Sequence, residues 1–389
     1  MQDPIRSVES GVMTRIDEID RLEELLSKKP RLCNCVVQGL DLRNQGIDWS
    51  KVEVEGSIFL GCDFPSDQVA ELLQSRGAAL FPKFEGLPYH PYRPRLYTRE
   101  ELMEGWTPEL DESTDLRIFA HFEKHGRHHA DILESLSQRL HDHAIDDALR
   151  DLLEGETDGE GPKKVVGIMG GHGTARTDPW FRAVVLVARG LTRAGFFVAS
   201  GGGPGIMEAA NLGAWLAPAS DEEVEKALAM LATAPVYTDP GYVEAAQRVL
   251  ERHPEGAASL AVPTWFYGHE PSNLFSAHVA KYFSNSLRED GLLAIATYGV
   301  VYAPGSAGTT QEIFMDAAQN HYRTFKVVSP MIFLGKDRYE RETGLYATMT
   351  RLAEGRDYAD LLHLTDNPDD VVDWVVDHPP RGDSDRGDS

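Results

Sequence analysis

Three short apolar runs in the second half of the chain each end in a cluster of glycines and continue into a helix-like segment. No other feature restricts the fold as tightly. Val165–Met169 leads into Gly170-Gly171-His172-Gly173, residues 196–199 lead into Gly201-Gly202-Gly203-Pro204-Gly205, and residues 300–303 lead into Pro304-Gly305-Ser306-Ala307-Gly308-Thr309. An uninterrupted apolar run of this length suits a strand covered on both faces, and a glycine turn into a helix suits the carboxyl end of such a strand. Further strands are expected at 258–262, 299–303, 327–334 and 363–365. Helices are expected at 179–193, 206–216, 220–232, 242–252, 276–296 (with a break near Gly291), 338–353 and 368–376. Strands alternating with helices predict an α/β fold, a Rossmann-like doubly wound parallel sheet with helices on both faces.

The first half reads differently. Residues 14–28 carry Ile16, Ile19, Leu22, Leu25 and Leu26 at helical spacing. Between 33 and 64, Leu42, Ile47 and Val52, then Val54, Phe59 and Phe64, recur every five residues, which hints at one turn of a pentapeptide-like β-coil. A proline-rich irregular arm follows at 81–96, then a mostly helical stretch to 153. The acidic, glycine-rich run 155–162 reads as a linker. The expected organisation is a smaller mixed domain at 1–154, the linker at 155–162, the α/β domain at 163–377 and a disordered polar tail at 378–389, where Arg-Gly-Asp-Ser occurs twice.

Composition excludes several classes. With 389 residues the chain can bury a large core, and no apolar run approaches the twenty residues of a membrane span. No basic-then-apolar leader opens the sequence, and three cysteines, Cys33, Cys35 and Cys62, make no disulfide framework. A cytoplasmic setting is therefore expected. The net charge of −24 opposes a nucleic acid polymer, which needs a broad basic surface, but not a mononucleotide held by local N–H groups and an arginine. His121, His125 and His129 share a helical face, yet no carboxylate or cysteine completes a ligand set, and Gly126 interrupts the helix. A solvated helix face is the simpler reading, and no metal is expected.

Glycine turns at strand ends let backbone approach a phosphate, and helix N-termini supply free N–H donors. The dinucleotide fingerprint fails: neither Gly171-His172-Gly173 nor Gly201-Gly202-Gly203 continues with the required glycine, and no acidic residue caps the strand at 196–199. No glycine loop runs into Gly-Lys-Ser/Thr either. A mononucleotide fits better. Glu312 stands near this chemistry, but Thr309-x-x-Glu312 also spells a helix capping box, which needs no ligand.

The stretch from Gly201 to Asn211, GGGPGIMEAAN, resembles a signature of the LOG family, often labelled lysine decarboxylase-like, and Pro304 to Glu312 resembles its PGGxGTxxE motif. The segment His269-Glu270-Pro271-Ser272-Asn273 is similar to the larger bacterial members, which cleave nucleoside 5′-monophosphates. The likeness spans roughly residues 160 to 376. It implies a Rossmann-like fold, homodimers or higher homo-oligomers, and hydrolysis of the N-glycosidic bond to free base and ribose 5-phosphate. Two positions depart from the pattern: Ser306 stands for the second glycine of PGG, and Arg288-Glu289 for an Arg-Lys pair. No lysine lies in the glycine motifs, so a pyridoxal phosphate Schiff base has no site there, and no cofactor is expected.

The reaction requires stabilisation of an oxocarbenium-like sugar by carboxylate and of the phosphate by a cation and N–H groups. Glu312 is expected beside the anomeric carbon, with Arg288 on the phosphate or base side. Glu208 is expected at the ribose or sharing acid–base work; its alternative is a helix N-terminal residue favoured by the dipole. Gly305, Ser306, Gly308 and Thr309 are expected to cradle phosphate. Gly170 and Gly171 form the first of the three turns, Gly202, Gly203 and Gly205 line the ribose side, and Glu270 and Asn273 bind the base or a partner subunit. The alternative class is a nucleotide-binding sensor without catalysis.

Overall fold

The computed structural model describes residues 13–155, 159, 161–268 and 270–382. The chain divides into two compact units, one running to Arg95 and including Ile132–Asp147, the other comprising Leu96–Asp131 and the chain from Ala148 onward. Half of the expected linker (156–158 and 160), and the tail beyond Gly382, lie outside the described residues.

In the first unit, β1 (Thr14–Ile16), α1 (Ile19–Lys28), β2 (Cys35–Gln38), β3 (Ile58–Leu60), α2 (Asp67–Ser75) and β4 (Ala79–Phe81) form a four-stranded parallel sheet in chain order. Val36 pairs with Ile58 and Ile58 with Ala79, so successive rungs take 22 and 21 residues. The five-residue rhythm runs from the connection between β2 and β3 through Phe59 of β3 to Phe64 beyond it, while α1 and α2 occupy the connections on either side. The helix expected at 14–28 gives up its start to β1, because Ile16 pairs with Val37 across the sheet. Leu22, Leu32, Val37, Phe59 and Leu73 fill the interior at zero exposure.

The second unit holds α3 (Arg99–Met103), α4 (Thr114–Lys124) and the end of α5 (Ile132–Glu154). The α/β series then follows: β5 (Val165–Met169), α6 (Pro179–Arg193), β6 (Phe197–Ser200), α7 (Ile206–Trp215), α8 (Asp221–Leu231), α9 (Tyr242–Arg252), β7 (Leu260–Ala261), β8 (His278–Val279), α10 (Asn285–Ile295), β9 (Val300–Tyr302) and α11 (Ala307–Tyr322). The chain continues through β10 (Val327–Val328), β11 (Met331–Leu334), α12 (Leu345–Ala353), β12 (Leu362–Thr365), α13 (Pro368–Asp377) and β13 (Arg381–Gly382). Seven strands form one parallel sheet in the order β12-β11-β9-β5-β6-β7-β8. Alternate side chains serve opposite faces, as a pleated strand requires. Ile168, Val198, Val301 and Ile332 pack with α6, α7 and α13. On the other face, Tyr302 bonds Asp316 of α11 and Phe333 packs on Tyr346 of α12. The Rossmann-like expectation is met.

Three local expectations are not. The helix expected over 276–296 begins only at Asn285, because residues 278–279 add β8 to the sheet edge, and it runs through Gly291 unbroken. The strand expected over 327–334 splits at Pro330, which has no N–H for a ladder, into β10 and β11. The start of the expected disordered tail is ordered: β13 pairs antiparallel with β10, and Arg381 holds Asp360 at 2.7 Å.

Candidate functional site

The order of the sheet reverses between β5 and β9, and ligands of such sheets bind at the carboxyl ends of the strands flanking that point. The backbones following these two strands touch: Gly171 N–H donates to Pro304 O at 3.0 Å. A cleft of about 480 Å³ opens there, lined by Gly170, Gly171, Gly201 to Gly203, Ser306 to Thr309, and Glu312. All three glycine turns therefore converge on one crevice. The far wall comes from Pro263, Thr264, Tyr267, Glu270, Lys281 and Arg288, with Glu289 beside them.

Local chemistry explains the loop that leads into α11. A Cβ on Gly305 would fall 2.1 Å from Thr309 Oγ1, so the closeness of the first helical turn admits only glycine. Ser306 is the N-cap at φ −115°, so the position does not make the positive-φ demand that would favour glycine. No side chain caps this helix and its first turn has no acidic residue. Its N-terminal N–H groups therefore face the cleft without a resident anion. At the start of α7, Gly205 takes φ +67°, and a Cβ there would meet Gly171 O at 2.5 Å. Gly205 and Gly305 thus shape the cleft without lining it.

Glu312 is not a cap. The helix begins at Ala307, so Thr309 is already inside it, and Glu312 lies more than a turn from the N-cap. Among the described residues no side chain or backbone group hydrogen-bonds its carboxylate. Burial pushes its pKa up to about 7, Arg288 opposing and Glu289 reinforcing the shift. Arg288 is held by two backbone carbonyls, Nε to Val262 O at 2.7 Å and Nη2 to Gly201 O at 3.1 Å. Glu289 accepts from Gln311 Nε2 at 2.9 Å and from the Tyr267 hydroxyl at 3.2 Å.

Two expected site residues have other occupations. Glu208 does not line the cleft. It is 3% exposed, takes both forks of the Arg176 guanidinium, and accepts from the Tyr242 hydroxyl at 2.7 Å. The favourable charge at a helix start and a bidentate arginine account for it without a ligand. Asn273 lines the cleft, but its amide is spent inside the protein: Nδ2 donates to Asn211 Oδ1 at 2.8 Å and to Met207 O at 3.3 Å, and Oδ1 accepts from Phe275 N–H. Glu270 remains on the wall, its carboxylate close to Gly203.

Two residues that sequence reading passed over also belong here. Lys281 lines the cleft, and Asp115, from α4, pairs with it. A buried lysine beside an apolar run was the only available signal, and its partner lies 166 residues away. The His121 and His125 rings lie 4.0 Å apart and tilted, but the helix ends at Lys124 and Gly126 turns left-handed, so the helical spacing does not continue to His129.

No family model matches the chain, and no curated protein matches it. Among solved structures, a molybdenum cofactor binding protein from the phototrophic bacterium Rippkaea orientalis aligns with 55% of this chain and 96% of its own, at 15% identity and a TM-score of 0.35. The molybdenum cofactor carrier protein of Chlamydomonas reinhardtii aligns with 55% and 97%, at 16% identity and a TM-score of 0.35. The structural-genomics target TM1055 aligns with 55% and 99%, at 19% identity and a TM-score of 0.33. The fold of this chain rests on its own sheet order, and these likenesses add nothing about its chemistry.

Proposed function

We propose that the cleft binds a nucleoside 5′-monophosphate and hydrolyses its N-glycosidic bond, releasing free base and ribose 5-phosphate. The observation that carries this reading is Glu312: a carboxylate with no bonded partner among the described residues, in a cleft whose nearest loops offer anion-binding N–H groups. Phosphate would sit at the start of α11, against the Gly170-Gly171 turn. That leaves the sugar beside Glu312 and Arg288. As the bond to the base lengthens, positive charge grows at the anomeric carbon and the ionised Glu312 stabilises it, or draws a proton from the attacking water. Arg288, fixed by two carbonyls, offsets negative charge on the phosphate or the departing base. The motif resemblance supports the same chemistry. Membership of a homo-oligomer and a cytoplasmic setting are part of this proposal; among the described residues no helix is long and apolar enough to cross a membrane.

The test is incubation of the purified chain with a panel of nucleoside monophosphates and chromatographic detection of free base. Release of base from at least one nucleotide is expected. Tight binding with no release from any would leave a nucleotide-binding protein without catalysis.

A further inference from the structure

We propose that Lys281 selects the base, donating a hydrogen bond to an exocyclic carbonyl; the inference rests on the nucleotide reading above. Lys281 follows β8 and lines the cleft, although its side chain is only 6% exposed. Its ammonium reaches both oxygens of Asp115, at 2.7 and 2.8 Å, and lies 5.2 Å from the centroid of the Trp265 ring. Asp115 also accepts from Trp265 Nε1 at 2.7 Å and from Ser272 Oγ at 2.6 Å. The carboxylate thus ties α4 to Trp265, to Ser272 and to the segment after β8. An ammonium has three N–H donors. Two are directed at Asp115, and no other acceptor among the described residues takes the third. A charged donor is left on the cleft wall.

Position in the sheet identifies what it meets. The proposed phosphate donors follow β9 and β5, while Lys281 follows β8, three strands from β5. With neighbouring strands roughly 4.8 Å apart, the offset is on the order of 14 Å from the β5 turn and about 19 Å from the β9 turn. That distance passes the phosphate and ribose and reaches the far edge of the base. A cation there requires an acceptor. The 6-carbonyl of an oxopurine or the 4-carbonyl of uracil provides one, and the amino group at the same position of adenine or cytosine does not. Glu270, on the same side of the cleft, suits the ring N–H that accompanies such a carbonyl.

The test is calorimetric binding of IMP and AMP, and of UMP and CMP, to the full chain carrying Glu312→Gln so that nucleotide is not consumed. IMP is expected to bind more tightly than AMP by roughly tenfold to a hundredfold, the range of one charge-assisted hydrogen bond, and UMP more tightly than CMP. Adding Asp115→Asn and Lys281→Met together removes the ion pair without stranding a buried charge. The expected result is loss of the preference, with IMP falling to the affinity of AMP. Equal affinity of the Glu312→Gln chain for IMP and AMP overturns the inference whether or not the triple variant folds. So does a folded triple variant that keeps the preference. If no nucleotide binds at all, the nucleotide reading itself falls; binding without discrimination removes only the role of Lys281.

Discussion

Glu312 and Glu208 are the same residue type on helices that follow glycine turns of the same sheet, and their surroundings separate them. Glu208 is paired with Arg176, whose guanidinium lies 3.4 Å from the centroid of the Tyr242 ring, and accepts from the Tyr242 hydroxyl. Arg176→Met should therefore strand a buried carboxylate and cost about 3–5 kcal/mol in denaturant unfolding, while turnover per folded molecule stays near the parent value. Glu312→Gln should do the reverse, lowering kcat by roughly two orders of magnitude or more with little loss of stability. Because burial raises the Glu312 pKa to about 7, its ionised form fills in only as pH rises through that value. The rate should climb from pH 6 to pH 8, and a flat profile would remove Glu312 as the acting carboxylate.

At the scale of elements, α11 joins binding to stability. Its N-terminus is open to a phosphate, so a nucleoside monophosphate should raise the melting temperature and the matching nucleoside should barely move it, since stabilisation follows affinity. Equal shifts in a thermal scan would remove the phosphate site. One turn beyond Glu312, Asp316 ties the helix to β9 through the Tyr302 hydroxyl at 2.6 Å. Burial raises its pKa to about 7, the Tyr302 bond opposing. The folded state then holds a proton that the unfolded chain, with a pKa of about 3.9, has released. Its stabilisation is complete below the unfolded value and lost as pH rises through about 7. Asp316→Asn, which cannot ionise, should accordingly gain stability relative to the parent on going from pH 5 to pH 8. A pH-independent difference in unfolding free energy would show that Asp316 titrates normally.

For the molecule as a whole, a net charge of −24 works against the compact state by self-repulsion and against any polyanion. Raising ionic strength from about 0.02 to 0.2 M, across which the screening length shortens severalfold, should raise the melting temperature. The same chain should show no retention of duplex or single-stranded DNA in a filter assay at low salt, where nonspecific electrostatic binding is strongest.

The parallel sheet and its glycine turns were legible in the sequence because their causes are local. A strand buried on both faces must be apolar throughout, and a turn that presses Gly305 against Thr309, or sets Gly205 at positive φ, admits no side chain. Both conditions leave their mark in consecutive residues. Other features depend on partners far along the chain. β8, two residues long, is a strand only because β7 lies beside it, and β1 because β2 does. The capping-box spelling of Thr309 and Glu312 was ambiguous until the helix start was located at Ala307. Tertiary structure alone also decided that Glu208 meets Arg176 and that Asn273 spends its amide on Asn211. Most remote of all, Asp115 reaches Lys281 across 166 residues. A carboxylate's spelling does not reveal its neighbours, and its charge, its availability and its chemistry are set by those neighbours.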